Sequence, residues 1–560
     1  MNNNFKFEKK LHVLAFVVLV LSAVMTWMGY GQDIEFHAQR LVAIAAEMKN
    51  GLGIYRIYTT VCEGYGYASP MFYGDIFMYP FAALVACGVS VGIAFRLFLA
   101  SIMVAAYASM YCCVKSVKGK NVAVVAAYLY AFSPILLEDI FIRYAVGEAM
   151  AFIFIPIVLL GYYRIVIEPK DERFDWIYLA LGMSGLIFSH IISTVLTAIL
   201  LVVLCFCNIK WLWKDKKKVL KIVYAAILTV GITAYFTLPM LEQMINSKFY
   251  VINRQTSNLA GNVAPMIGLL FGSEYVSVIN LFIEKIAGVA DYFSFSWFPG
   301  AFGYLLFFVL YLRFRRKNPL KEEKADIFFV ISIIYLIICT VPFIQPILEP
   351  LVGFIKIPWR NLTFYIFFLS VCAALLLVKQ KEIGPKVYKL GMLIATGSTL
   401  IAFLGLAMIT IHNGMFPFES LSTTSIGLGE YLPSEVSNYD YSLERGDAVY
   451  CSEEEVVYAF ERKDGYAVLS YEGVENTATF EVPMYMYLGY AVVNQETMEE
   501  YEPSISDNGL VQFTIQNSEN GNVMIYYEGT LLQKVTVIIS ALTITGVIVI
   551  CLSKMDWRKK

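Results

Sequence analysis

The chain has 560 residues, of which 58% are hydrophobic and only 16% charged. Soluble domains carry roughly 25% charged residues, so this composition excludes an ordinary soluble protein and a disordered one. The net charge of −2 conceals a separation: residues 412–530 hold 21 acidic and 3 basic residues, and the rest of the chain carries +16.

Apolar runs of bilayer-crossing length, about 17–25 residues, recur along the chain. Backbone groups in lipid must be satisfied internally, so these runs read as helices. The first, Leu11 to Met28, follows Lys6, Lys9 and Lys10. A signal peptide starts the same way, but the run is long and lacks a small-residue cleavage site, so it reads as a retained anchor. Helices are expected next at Phe95–Val114, Val122–Leu137 and Ala149–Ile167. The run Trp176–Cys207 reads as two short helices turning near His190. Val219–Leu238, Trp297–Arg313, Ile327–Phe343, Leu362–Val378, Val387–Ile411 and Leu532–Leu552 complete about twelve spans. Phe77–Val91 is short for a crossing and reads as an outer-face or re-entrant helix beginning at Tyr79-Pro80.

Seven Lys/Arg clusters separate these runs, and basic loops stay cytoplasmic. Both termini are therefore expected in the cytoplasm of a multi-pass plasma-membrane protein. The expected organisation is a membrane domain over 1–411 with outer loops 29–94 and 240–296. An acidic extracytoplasmic domain follows over 412–530, then a last helix and basic tail over 531–560. Within 412–530, stretches such as VQFTI and NVMIYYEG alternate with period two between turn signals KDG, DNG and ENG, which reads as a small β-sandwich. The ten cysteines show no CxxC pair. Only Cys62 and Cys451 fall in expected outer segments, where they could pair.

Four constellations offer chemistry. In GQDIEFHAQRL, Gly31 to Leu41, helical spacing puts Asp33, His37, Arg40 and Glu47 on one face and turns Glu35 away. These groups suit a general base or metal ligands; the same spacing also fits a helix N-cap and a solvated face. In EDIFIRYAVGE, the groups Glu138, Asp139, Arg143 and Glu148 stand between two spans, where Arg143 could take a phosphate or the charges could simply mark the interface. His190 stands alone in the FSHIIST turn, where a histidine is often structural. In KIPWRNL, Lys356 and Arg360 fall outside against the positive-inside trend, which suggests an anionic partner such as a lipid phosphate; Arg360 could also merely snorkel. No Walker motif, no GxGxxG after a strand and no nucleic-acid-binding pattern occurs, and charge is sparse within the spans.

Taken in order, GQDIEFHAQRL, GYASPMFYGDIFMYP, FIRYAVGEAMAFIFIPIVLLGYYR, SHIIST, YFTLPMLE, IPWRNL and GEYLP resemble the GT-C superfamily of membrane glycosyltransferases. The closest resemblance is to bacterial YfhO-like and 6-pyruvoyl-tetrahydropterin synthase-related membrane proteins. Two positions depart from that pattern: Phe81 stands where relatives often have a second proline, and Tyr144 follows Arg143 where glycine is common. The resemblance implies an all-α, GT-C-like membrane fold and an inverting glycosyltransferase of the cell envelope. Its donor would be a polyprenyl-phosphate-linked sugar, and its acceptor an envelope glycan, lipid or protein outside the membrane. It further implies Asp33 as general base with Glu35 beside it. His37, Glu138, Asp139 and Glu148 become acceptor or metal candidates, with a divalent cation as candidate cofactor. Arg143, His190, Lys356 and Arg360 become candidates for holding the lipid phosphate. A flippase or exporter of a lipid-linked precursor and a non-catalytic envelope scaffold are the alternatives.

Overall fold

A computed structural model describes residues 2–25, 29–51, 53–168, 174–250, 306–311, 323–352, 358–384, 386–394, 396–397, 399–400, 414, 416–421, 426–427, 429–436, 441–463 and 465–557. The chain divides into two compact units. The first is Met1–Ile34, Arg96–Ala225 and Gln255–Phe416; the second is Glu35–Phe95, Ala226–Arg254 and Pro417–Lys560. Two long helices, Val91–Lys118 and Lys216–Asn246, contribute residues to both.

Among the described residues, five helices are long and apolar enough to cross a membrane: Val91–Lys118, Val146–Ile167, Lys216–Asn246, Pro358–Lys379 and Leu531–Leu552. Two bent pairs, Lys120–Ala131 with Pro134–Phe141 and Ala325–Thr340 with Pro342–Pro350, raise the number to seven. This is fewer than the twelve spans expected. The run Trp297–Arg313 lies mostly outside the described residues, and Val387–Ile411 only partly within them. The apolar stretch Trp176–Cys207 does break into two short helices, Trp176–Ser189 and Ile191–Cys207. Their junction is His190, whose extended backbone (φ −157°, ψ 109°) ends the first helix. Its side chain caps the second by accepting from the Ser193 amide. The stretch after Tyr79 folds as an eight-residue helix, Tyr79–Ala86, with proline in its first turn.

In the first unit the central helix is Leu362–Ile383, with residues 361–377 all buried. It packs against Glu323–Thr340 and Lys120–Ala131. The helices Val146–Tyr162 and Trp176–Ser189 also lie against each other. They approach so closely that a Cβ on Gly161 would come within 2.4 Å of the Leu179 amide nitrogen. Small residues at such crossings let membrane helices gain van der Waals contact, lipid offering no hydrophobic drive.

In the second unit, residues 450–527 form an antiparallel sheet of seven strands: β1 Tyr450–Cys451, β2 Val457–Lys463, β3 Tyr466–Tyr485, β4 Tyr490–Asn494, β5 Glu500–Tyr501, β6 Ser504–Ile505 and β7 Leu510–Tyr527. The order is β1-β3-β7-β4-β5, with β2 also on β3 and β6 also on β7. The period-two reading of strands therefore stands, and among the described residues these strands are joined in one hydrogen-bonded sheet. The reason is the length of β3 and β7, 20 and 18 residues. They pair with each other through register shifts at Val474/Thr477 and Val482/Tyr485, so every shorter strand hydrogen-bonds to one continuous ribbon or to a neighbour of it. The last helix, Leu531–Trp557, meets Lys216–Asn246 where Ser540 Oγ donates to the Gly231 carbonyl (3.1 Å) and accepts from the Tyr235 amide (2.9 Å). Cys62 and Cys451, a possible pair by sequence, are both free thiols.

Candidate functional site

The first unit holds a buried charged cluster at the break between Pro134–Phe141 and Val146–Tyr162. Asp139 lies in the last turn of the first helix and Glu148 in the first turn of the second. Arg143, between them, donates from Nη1 to Asp139 Oδ1 (2.6 Å) and from Nη2 to Glu148 Oε2 (3.0 Å). Its guanidinium lies 4.1 Å from the centroid of the Trp359 ring, in cation–π range. Asp139, Glu148 and Arg143 are 0%, 3% and 5% exposed, and Glu138 is also buried. Burial opposes the charge on Arg143, yet the carboxylates of Glu148, Asp139 and Glu138 outweigh it and raise its pKa above the ordinary value.

Arg143, expected from sequence to be open to a phosphate, therefore has both terminal nitrogens on carboxylates. Arg360 acts electrostatically on Asp139, Glu148 and His190, and its buried Nε has no hydrogen-bond partner among the described residues. Asp139 Oδ2 and Glu148 Oε1 are likewise buried and unpartnered there. A buried polar atom left in that state costs about 1–3 kcal/mol, which a ligand hydroxyl or water would relieve. Among the described residues no three His, Cys, Asp or Glu side chains converge to hold a metal ion. The two carboxylates share a guanidinium instead, so the site does not fit a divalent cation. Lys356 lies outside the described residues.

The acidic first-loop motif meets this cluster through its backbone. The Asp33 amide donates to the Arg143 carbonyl (2.9 Å), and the Gln32 amide to that of Ile142 (3.3 Å). Tyr144 has φ +53°, the left-handed region that favours glycine. Its ring covers Gly31 so closely that a Cβ on that glycine would stand 2.1 Å from Tyr144 Cδ2 and 2.4 Å from the Ile142 oxygen. Asp33 is exposed and directly precedes the helix Ile34–Asn50.

The rest of that helix belongs to the second unit. Glu35 is exposed, while His37, Arg40 and Glu47, which spacing puts on one face, are buried. All three make contacts within this unit. Arg40 donates to the carbonyls of Tyr73 (3.1 Å) and Gly74 (2.9 Å) and lies 3.3 Å from His37 Nδ1. Glu47 accepts from the amide and hydroxyl of Thr59 (2.6 and 2.8 Å).

The turn held by Arg40 presents a buried residue not singled out from sequence, Asp75, whose Oδ2 accepts from the Tyr58 hydroxyl (3.1 Å). Burial raises the Asp75 pKa to about 6 against the opposing effects of Arg40 and Tyr58. Buried Arg56 was also missed. It lies 5.9 Å from the Tyr235 ring centroid, and its Nη2 has no hydrogen-bond partner among the described residues. Two signals were available: Asp75 is the one acid in GYASPMFYGDIFMYP, and Arg56 is a cation in an expected outer loop, the criterion that marked Lys356 and Arg360.

No protein-family model matches the chain. An uncharacterized protein of Lactococcus lactis subsp. cremoris (strain MG1363) is 22% identical over 277 residues, 47% of this chain and 45% of that protein. Among solved structures, arabinofuranosyltransferase AftD from Mycobacteria is similar at 14% identity and a TM-score of 0.41, over 70% of this chain and 27% of that one. The Archaeoglobus fulgidus oligosaccharyltransferase has 13% identity and a TM-score of 0.37, over 71% of this chain and 54% of that one. ArnT from Cupriavidus metallidurans, solved bound to undecaprenyl phosphate, has 15% identity and a TM-score of 0.36, over 67% and 79%. The chain thus spans under half of the curated relative and about a quarter of AftD. With TM-scores of 0.36 to 0.41 these likenesses are partial, and a reading of function rests on the chain's own residues. None of these names concerns YfhO-like proteins.

Proposed function

We propose that the protein is a membrane glycosyltransferase that moves a sugar from a polyprenyl-phosphate donor to an acceptor on the outer face of the membrane. The observation that carries this reading is the bond between the Asp33 amide and the Arg143 carbonyl. It sets an exposed acid at the edge of a buried carboxylate–guanidinium cluster. In the reaction, the Asp33 carboxylate takes the proton of an acceptor hydroxyl. The hydroxyl oxygen bonds to the anomeric carbon, the bond from that carbon to the phosphate oxygen breaks, and configuration inverts. Polyprenyl phosphate leaves with the bonding pair, and its charge is met by Arg360 with His190 beside it. Arg143 holds Asp139 and Glu148 apart and oriented, leaving Asp139 Oδ2 and Glu148 Oε1 to accept from sugar hydroxyls.

The test compares envelope glycans of cells carrying the wild type, Asp33→Asn and a deletion, with membrane abundance of the variant checked. Loss of the same sugar in variant and deletion supports the base. Loss only in the deletion removes Asp33 from the chemistry and moves transport or scaffolding ahead.

A further inference from the structure

The second unit contains a cavity of about 380 Å³, within the roughly 300–1,000 Å³ typical of small-ligand pockets. It lies between the segment 59–64 and the sheet, lined on one side by Thr59, Thr60 and Glu63 and on the other by Tyr466, Tyr490 and Tyr527. Nothing in the proposed chemistry uses it.

Among the described residues, Thr59, Arg462 and Tyr527 of this lining make hydrogen bonds, while other polar groups stay open to a ligand, Thr60 and Glu63 being exposed. The hydroxyls of Thr60, Tyr466 and Tyr490 and the carboxylate of Glu63 have no hydrogen-bond partner among the described residues. The walls around them are firmly built. Tyr490 and Tyr527 meet edge-to-face with centroids 5.4 Å apart. Arg462 ties the two sides together, donating to the Gly64 carbonyl and to the Pro483 carbonyl (2.6 Å). That tie closes a turn in which Cys62 (φ +53°) and Glu63 (φ +54°) both hold left-handed backbone, uncommon for residues other than glycine. Such backbone persists only where surrounding contacts impose it, and it gathers at ligand sites.

We infer that this cavity is a binding subsite for an uncharged, hydroxyl-rich glycan, the acceptor. Three hydroxyls that both donate and accept, beside an acceptor-only carboxylate, complement a ligand whose own groups are hydroxyls. The tyrosine rings offer flat apolar faces to the C–H faces of a pyranose. Charge sets the class further: Arg462 and Lys463 also line the cavity but are paired with Asp447 (2.7 Å) and Glu461 (3.3 Å), so Glu63 and the surplus of 18 negative charges over residues 412–530 disfavour a uronate or phosphorylated polymer. Naming the ligand as acceptor rests on the transferase reading; binding itself does not.

Saturation-transfer NMR on the full-length protein in nanodiscs tests this, with maltotetraose, cellotetraose and chitotetraose as neutral probes and tetragalacturonate as the anionic one. At least one neutral tetrasaccharide should saturate on the wild type and equally on Asp33→Asn. Its affinity should fall at least tenfold in Thr60→Trp, which fills the cavity, and measurably in Tyr466→Phe, which removes one hydroxyl. Absence of transfer from all neutral probes overturns the inference, as does equal binding by Thr60→Trp or a preference for tetragalacturonate. A catalytically normal Asp33→Asn would sink the base assignment while leaving this binding result intact, so the two failures are distinguishable.

Discussion

The backbone amide of Asp33 donates to the carbonyl of Arg143 at 2.9 Å, while the Arg143 side chain bridges Asp139 and Glu148. One residue thus organises two parts of the site, its main chain placing the acidic first-loop motif and its side chain placing two buried carboxylates.

The main-chain contact depends on Gly31 having no side chain. Gly31→Ala would set its methyl against Tyr144 and the Ile142 carbonyl, displacing the Asp33 turn. Glycan transfer is expected to fall at least tenfold at normal membrane abundance. Adding Tyr144→Gly removes the ring clash and suits the φ of +53°, but it leaves the clash with the Ile142 oxygen. The double variant should recover only part of the activity. Full activity in Gly31→Ala would show that this turn does not position the base.

The side-chain role gives a stability prediction. Arg143→Gln leaves Asp139 and Glu148 buried without their cation, and breaking a buried ion pair costs about 3–5 kcal/mol. Thermal unfolding in detergent should therefore start well below the wild type. The triple variant Arg143→Gln, Asp139→Asn, Glu148→Gln, which has no orphaned charge, should regain most of that loss. If it is as unstable as the single variant, the cluster is not held by this ion pair.

Arg360 tests the leaving-group role. Its buried Nε, unpartnered among the described residues, and its electrostatic reach to His190 and Glu148 suit an anionic ligand. Arg360→Gln is expected to lower transfer by about 10²–10³-fold, the range for loss of one preorganised charge-stabilising group. Steady-state assay with a polyprenyl-phosphate sugar against a donor of shorter chain length reads this. A defect that vanishes with the short-chain donor would assign Arg360 to the lipid chain.

Asp75 supplies a pH prediction. Its folded-state pKa is raised from 3.8 to about 6, so between those values the folded state binds more protons than the unfolded one. Stability then falls as pH rises through that window, by roughly 3 kcal/mol in total. Asp75→Asn abolishes the titration, so its unfolding temperature should gain on the wild type between pH 4 and pH 6. Parallel curves for the two proteins would mean that Asp75 is not protonated in this environment.

Some features follow from sequence alone because they depend on composition and local periodicity. Long apolar runs must be helical in lipid, and the break at His190 and the helix starting at Tyr79-Pro80 follow from local signals. The same is true of the strands of residues 450–527 and of the face that His37, Arg40 and Glu47 share on one helix; that this face is buried is set by packing. Tertiary structure decided what local signals do not carry. Spacing placed Glu138, Asp139, Arg143 and Glu148 in one loop but could not say that Arg143 faces carboxylates rather than a phosphate. That depends on which groups share a water-poor space, where an unpaired charge costs most. The joining of the strands into one sheet depends on long-range pairing of β3 with β7, and the burial of Asp75 and Arg56 depends on the packing around them. Periodicity fixes which face of an element is apolar; the partner that meets that face is set by the packing of segments far apart in the chain.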